Sequence, residues 1–184
     1  MTELYFIRHA KPDYTVREDA LRPLTVQGEA QAQVLVNRLA HICFNAVYSS
    51  PFLRCISTMQ PLADAQNLAV FTHDDLRERK VDSIWIEDFD AFAKQQWADF
   101  QYKLSDGECL AEVQQRNMKA VNEILLAEAG KAIAIGTHGT ALATILNHYH
   151  PDFSYEDFRR IAPITPYIHR MVFDGQRLVS AEEV

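Results

Sequence analysis

Two apolar runs in this chain each end in a histidine. Leu4-Tyr5-Phe6-Ile7 leads into Arg8-His9-Ala10, and Lys131-Ala132-Ile133-Ala134-Ile135-Gly136-Thr137 leads into His138-Gly139. Both runs read as buried strands. An arginine and a histidine directly after a buried strand are costly to bury without a partner, and an anion would be one. Arg54 falls just past another strand-like run, Phe44 to Tyr48, and Glu78 falls in the loop after a third, Leu68 to Thr72. Two arginines, two histidines and a glutamate at four strand ends make an anion pocket, and its parts point to phosphate.

The chemistry follows from the residue types. Arginine offers a planar fork for two phosphate oxygens and keeps its charge. A histidine attacks phosphorus only through an unprotonated nitrogen. Neighbouring cations lower its pKa toward that state, and a backbone carbonyl accepting the other ring N–H fixes the tautomer. A second histidine can donate to an equatorial oxygen as charge develops. An alkoxide leaving group needs a proton, which a protonated Glu78 can deliver, and the phosphate's own charge favours that acid form. Water then hydrolyses the phosphohistidine with Glu78 as base. Taken singly, each residue has a plainer explanation: a surface Arg-His pair, a satisfied histidine at a strand end, an exposed arginine starting a helix, a solvated glutamate in a charged loop. Their common placement is what argues for chemistry.

The elements that must position them alternate along the chain. Residues 11–23 hold two prolines and no sustained period, which predicts a loop. Thr25 is placed to cap a helix over 25–41, with apolar residues at helical spacing. Ser49-Ser50-Pro51 opens a second helix running to about residue 66, with Arg54 in its first turn. Aromatic residues at intervals of three and four predict a helix over 84–104, broken by Ser105-Asp106-Gly107. A further helix covers 108–128, with Gly130 as its C-cap. Residues 140–149 are helical and residues 151–163 show no single pattern. A late strand, 167–173, turns at Asp174-Gly175 into 177–180. This predicts an α/β fold, a three-layer α/β/α sandwich with a mostly parallel central sheet. Ligands of such sheets sit outside the carboxyl ends of the strands.

Composition narrows the rest. A chain of 184 residues suits one domain, 1–184, with a sizeable core. The net charge of −7 argues against a nucleic-acid partner, since such proteins present a basic surface. No apolar stretch approaches the roughly 18 residues a membrane span needs. Cys43, Cys55 and Cys109 form no CxxC pair, so they read as reduced thiols of a cytoplasmic protein. Cys55 sits near a helix start, where a lowered pKa is conceivable, but a buried spectator is the favoured reading. His148 and His150 have metal-like spacing without supporting ligands, so no metal and no cofactor is expected. The aromatic residues at 85–102 are read as packing, with a cap over the pocket as the alternative. The expected assembly is a monomer or a homodimer.

Together these residues resemble a known family. Phe6-Ile7-Arg8-His9-Ala10 resembles the Arg-His-Gly signature of the histidine phosphatase superfamily, the phosphoglycerate-mutase-like proteins. Leu24-Thr25-x-x-Gly28-x-x-Gln31-Ala32, Tyr48-Ser49-Ser50-Pro51-x-x-Arg54 with Thr58, and Leu76-Arg77-Glu78 are similar to its later segments. Asp106-Gly107-Glu108 with Val113 and Arg116, and Thr137-His138-Gly139, are similar as well, all in the family's order.

The resemblance implies a phosphohistidine mechanism without metal. By position His9 would be the nucleophile, Arg8 and Arg54 the phosphate clamp, His138 the second pocket histidine and Glu78 the acid/base. Glu108 falls in a segment that is usually structural. The expected activity is a phosphatase acting on a small phosphorylated metabolite. The rivals are a cofactor-dependent phosphoglycerate mutase and a non-catalytic phospho-ligand binder. The chain departs from the family at four places, one of them Thr140, which stands for a frequent second Gly. Ala10 stands for Gly and brings a Cβ beside the phosphate. Asp13 and Thr15 stand near a missing asparagine, with Asp13 expected to point away. Lys80 to Trp85 replaces a Gly and a Trp-Glu-Gly run.

Overall fold

A computed structural model describes residues 1–184. In chain order the elements are β1 (Thr2–Arg8), α1 (Val26–Arg38), β2 (Ala46–Ser49), α2 (Leu53–Ala65), β3 (Val70–Thr72), a 3-10 turn (Asp74–Leu76), α3 (Phe89–Ala98), α4 (Leu110–Ala127), β4 (Ala132–Thr137), α5 (Gly139–Tyr149), α6 (Tyr155–Ile161), β5 (Tyr167–Asp174) and β6 (Arg177–Glu183). One six-stranded sheet runs β3-β2-β4-β1-β5-β6. The first four strands in that order are parallel to one another, and β5 and β6 add antiparallel. The fold is the expected three-layer α/β sandwich with a mostly parallel sheet.

The apolar runs are continuous because β1 and β4 lie inside the sheet with both faces covered. Alternate residues of β1 face opposite layers. Leu4 and Phe6 pack with α4 and α5 residues such as Val121, Ile124, Leu142 and Ile145. Tyr5 and Ile7 pack with Leu35 of α1 and Met59 and Leu62 of α2. The edges are managed differently: β3 is three residues long, and the edge strand β6 is rich in charge, with Arg177, Glu182 and Glu183. No helix is long and apolar enough to cross a membrane.

Two expectations are corrected. The helix expected over 84–104 is only α3, residues 89–98. Asp88 starts it by accepting the Ala91 N–H, and the chain turns back after Asp99, where the Tyr102 N–H meets the Asp99 carbonyl. The aromatic spacing outlasts the helix because the folded-back residues still pack: Trp97 meets Phe100 at 5.5 Å and Phe92 meets Tyr102 at 6.0 Å between centroids. Residues 151–163 hold a helix that periodicity did not show, α6. Its signal is a capping box, with Ser154 and Asp157 exchanging hydrogen bonds. Smaller shifts fall at ends: α2 starts at Leu53 because Phe52 is extended, and β6 runs on to Glu183.

Candidate active site

β1 and β4 run side by side with Arg8 opposite Thr137, so His9 and His138 leave the sheet together. Their rings meet edge to face, 5.3 Å between centroids. The His9 N–H donates to the Thr137 carbonyl and extends the ladder by one step. His9 Nδ1 lies 2.8 Å from the Ala10 carbonyl oxygen. A carbonyl can only accept, so Nδ1 carries the proton and Nε2 presents a lone pair. Burial first, then the charges of Arg54 and Arg8, hold the His9 pKa well below the usual histidine value. The ring is therefore neutral and fixed in one tautomer.

Arg8 and Arg54 are arranged alike. Both are at least nine-tenths buried. Arg8 Nη1 donates to the carbonyls of Ile161 (3.2 Å), Ala162 and Ile164 (3.3 Å), at the C-terminal end of α6. Arg54 Nη1 donates to the Asp19 carbonyl and pairs with the Asp19 carboxylate at 3.2 Å. Each guanidinium is thus anchored through one nitrogen, and its Nε–Nη2 edge meets no protein acceptor. Arg8 Nε is fully buried without a partner. An unmet buried N–H costs free energy that an anion's oxygen would recover, and the Nε–Nη2 edge of a guanidinium can form a bidentate pair with one. Gly139 makes room for it: a Cβ there would stand 3.3 Å from Arg8 Nε and 3.4 Å from Cζ.

His138 is fully buried and starts α5. Its Nε2 lies 2.7 Å from Ser50 Oγ, and the Phe52 ring meets it edge to face at 5.2 Å. Burial, then Arg54 and His9, hold its pKa well below the usual value. Thr58 joins the two halves of the pocket. Its hydroxyl oxygen accepts the Ala10 N–H at 2.9 Å and donates to the Arg54 carbonyl at 2.7 Å.

Glu78 docks on the start of α5. Its oxygens accept from the Thr140 N–H (3.0 Å), the Ala141 N–H (3.2 Å) and the Arg79 N–H (2.8 Å). The helix starts beside these residues therefore supply no free N–H groups at these positions. Those of Thr140 and Ala141 are taken by Glu78, and the Leu53 N–H at the start of α2 is taken by the Ala20 carbonyl. The positive character of the pocket comes chiefly from guanidinium groups. The loop behind Glu78 is held by Arg116, which donates to the carbonyls of Asp75 (3.0 Å), Arg77 (2.6 Å) and Glu78 (3.1 Å). Glu108 holds Arg116 in turn through bonds of 2.8 and 2.9 Å. All five residues singled out from the sequence, His9, Arg8, Arg54, His138 and Glu78, are gathered at one end of the sheet.

Comparisons with known proteins bear on the family and the fold. The family described as the histidine phosphatase superfamily (branch 1) matches residues 4–182. The chain belongs to the histidine phosphatase superfamily. Among relatives, it is 24% identical over 159 residues to a protein named probable phosphoglycerate mutase GpmB of Yersinia enterocolitica, covering 80% of this chain and 74% of that one. Among solved structures, it resembles Bacillus stearothermophilus YhfR with a TM-score of 0.78 and 23% identity, covering 97% and 95% of the two chains. It also resembles phosphoserine phosphatase of Entamoeba histolytica, solved with 3-phosphoglyceric acid, with a TM-score of 0.80 and 19% identity over 100% and 98% of the two chains.

Other features of this superfamily member bear on the residues singled out from the sequence. Asp13 is turned into its own loop, where Oδ1 accepts from the Thr15 N–H and hydroxyl. Burial pushes the Cys55 thiol up, so it is a spectator, 3.4 Å from His138 Nε2. The aromatic segment packs on itself and on neighbouring cations. Phe89 and Phe92 flank the buried Arg79 guanidinium at 5.1 and 5.0 Å, while Trp85 reaches Arg17 of the 11–23 loop at 5.8 Å. No three His, Cys, Asp or Glu side chains converge as metal ligands, at His148 and His150 or elsewhere. A separate cavity of about 290 Å³ lies beside Arg160, Tyr167, His169 and Glu183 and holds none of the five site residues.

Sequence reasoning missed Asp19 and Arg22. Arg22 is buried, stacks on Tyr14 at 5.1 Å and pairs with Asp19 at 2.7 Å. No periodicity marks them, because they lie in an irregular loop. The one available signal is a charged pair at i, i+3 beside Pro23.

Proposed function

We propose that this chain is a phosphatase that hydrolyses a small phosphomonoester through a phosphohistidine on His9, without a metal. The observation that carries this reading is the His9 ring, held neutral with its Nε2 lone pair free among the open edges of Arg8 and Arg54. In the first step Nε2 attacks phosphorus. The N–P bond forms as the ester P–O bond breaks, and the leaving oxygen takes a proton from Glu78. The guanidinium edges and His138 hold the phosphoryl oxygens meanwhile. In the second step water attacks phosphorus and gives its proton to the Glu78 carboxylate. The N–P bond breaks, inorganic phosphate leaves, and neutral His9 is restored. The names of the neighbours, which include a phosphoserine phosphatase and a glucosyl-3-phosphoglycerate phosphatase, support a small phosphorylated metabolite as substrate.

The relatives named phosphoglycerate mutase favour a second reading, transfer rather than hydrolysis. The neighbours named as phosphatases support hydrolysis. A panel of phosphometabolites with released phosphate as readout separates the two. A phosphatase releases phosphate in step with substrate loss, and His9→Ala stops it while EDTA does not. Exchange of 3- for 2-phosphoglycerate with little phosphate release would establish the mutase. Full activity in His9→Ala would end the phosphohistidine reading, and EDTA-sensitive activity restored by metal would end its metal independence.

A further inference from the structure

The clamp arginine Arg54 already holds an anion. Its Nη1 lies 3.2 Å from the Asp19 carboxylate and also donates to the Asp19 backbone carbonyl. The same carboxylate oxygen accepts from Arg22 Nη1 at 2.7 Å, so it bridges two buried guanidinium groups. Both arginines lie close enough to His9 to depress its pKa. Asp19 itself is only partly covered, with 43% of its side chain exposed, and it sits in the irregular loop between Asp13 and Arg22. An acidic group on the phosphate clamp opposes an incoming phosphate, because like charges near one guanidinium repel. A purely structural anchor for Arg54 would not need charge: the Asp19 carbonyl supplies an acceptor already.

We propose that Asp19 is the internal counter-anion of the phosphate clamp, a positioning residue that half-neutralises Arg54 and so limits how tightly product phosphate is held. With the pocket empty, Asp19 keeps Arg54 compensated. With phosphate bound, Asp19 competes for the same guanidinium and speeds release. The inference rests on the reading of Arg54 as a phosphate ligand.

The test is calorimetric titration of the whole protein with inorganic phosphate. Asp19→Asn keeps the size and an acceptor oxygen but removes the charge. It should bind phosphate about threefold to fivefold tighter, the scale of a partly exposed ion pair lost as competitor. In turnover, KM and kcat should both fall, because product leaves more slowly. Asp19→Ser should shift binding the same way, and serves if the first variant folds poorly. Glu18→Gln removes the same charge from the adjacent exposed residue and should leave phosphate affinity unchanged. Unchanged affinity in Asp19→Asn would overturn the proposal. Weaker binding would also overturn it, and would make Asp19 a mere prop for Arg54. If wild type and Arg54→Ala bind phosphate equally, the clamp reading falls first and this inference with it.

Discussion

The hydroxyl of Thr58 accepts the backbone N–H of Ala10 at 2.9 Å, and through that bond α2 sets the orientation of a histidine on another element. Ala10 is the residue whose carbonyl fixes the His9 tautomer, and Thr58 also donates to the Arg54 carbonyl. One buried side chain therefore ties the proposed nucleophile to one arm of the proposed clamp. Thr58→Val keeps the shape and leaves the Ala10 N–H buried without a partner. The expected loss of stability is about 1–3 kcal/mol by urea denaturation. Phosphate release should slow about tenfold, because a tilted ring loses its line of attack. A variant as active as wild type would separate Ala10 from the tautomer.

Glu78 is assigned to the leaving group, so its loss should depend on which leaving group is used. Glu78→Gln should slow an alkyl phosphate by about a hundredfold or more and an aryl phosphate far less, since an aryl oxide hardly needs a proton. Parallel kcat measurements on the two substrates decide it. Equal losses would remove Glu78 from the acid role.

Arg116 offers an indirect check on the same residue. It is buried, bonds three carbonyls of the loop behind Glu78, and pairs with the half-buried Glu108. Arg116→Met leaves that carboxylate and those carbonyls without their main donor, which should cost about 3 kcal/mol in thermal or urea unfolding. At temperatures where the variant is still folded, alkyl phosphates should suffer more than aryl ones, because the displaced group is Glu78. A loss confined to stability would make the Arg116–Glu108 pair purely structural.

The buried histidines set two pH dependences. His9 has a pKa well below the usual value, so it stays unprotonated as pH falls past 6.5. The kcat/KM for an aryl phosphate should therefore hold below that pH, and an acid limb centred near pH 6.5 would contradict a neutral nucleophile. Stability behaves otherwise. Burial lowers His169 to about 4 in the folded chain, while in the unfolded chain it protonates near the usual 6.5. Between those values the unfolded state binds more protons, so stability is lost as pH falls from 6.5 toward 4. The loss from this residue is about 3 kcal/mol. It should show as a slope in unfolding free energy against pH that shrinks in His169→Gln.

Much of the fold was legible because burial on both sides of β1 and β4 forces unbroken apolar runs. The Thr25 cap of α1 was legible too, since its side chain accepts the Gly28 N–H within four residues. Where local pattern and tertiary packing diverged, the sequence misled. The aromatic spacing of 84–104 outran α3 because the folded-back Phe100 and Tyr102 pack on its aromatic residues as another helical turn would. Residues 151–163 were opaque because α6 has seven residues, too few to display a period.

By itself, then, the sequence determined the strands that precede Arg8, His9, Arg54, Glu78 and His138, and with them the proposed anion pocket and the family. Those features are local: a strand must be apolar, and its polar end must be written into the next residues. The tertiary structure decided what each of those groups touches. Arg8 is anchored by carbonyls of Ile161 to Ile164, some 150 positions along the chain, Arg54 by Asp19, Glu78 by the start of α5 and His138 by Ser50. Such partners are set by how layers pack across the sheet, and nothing in the spacing of residues along one chain records that distance.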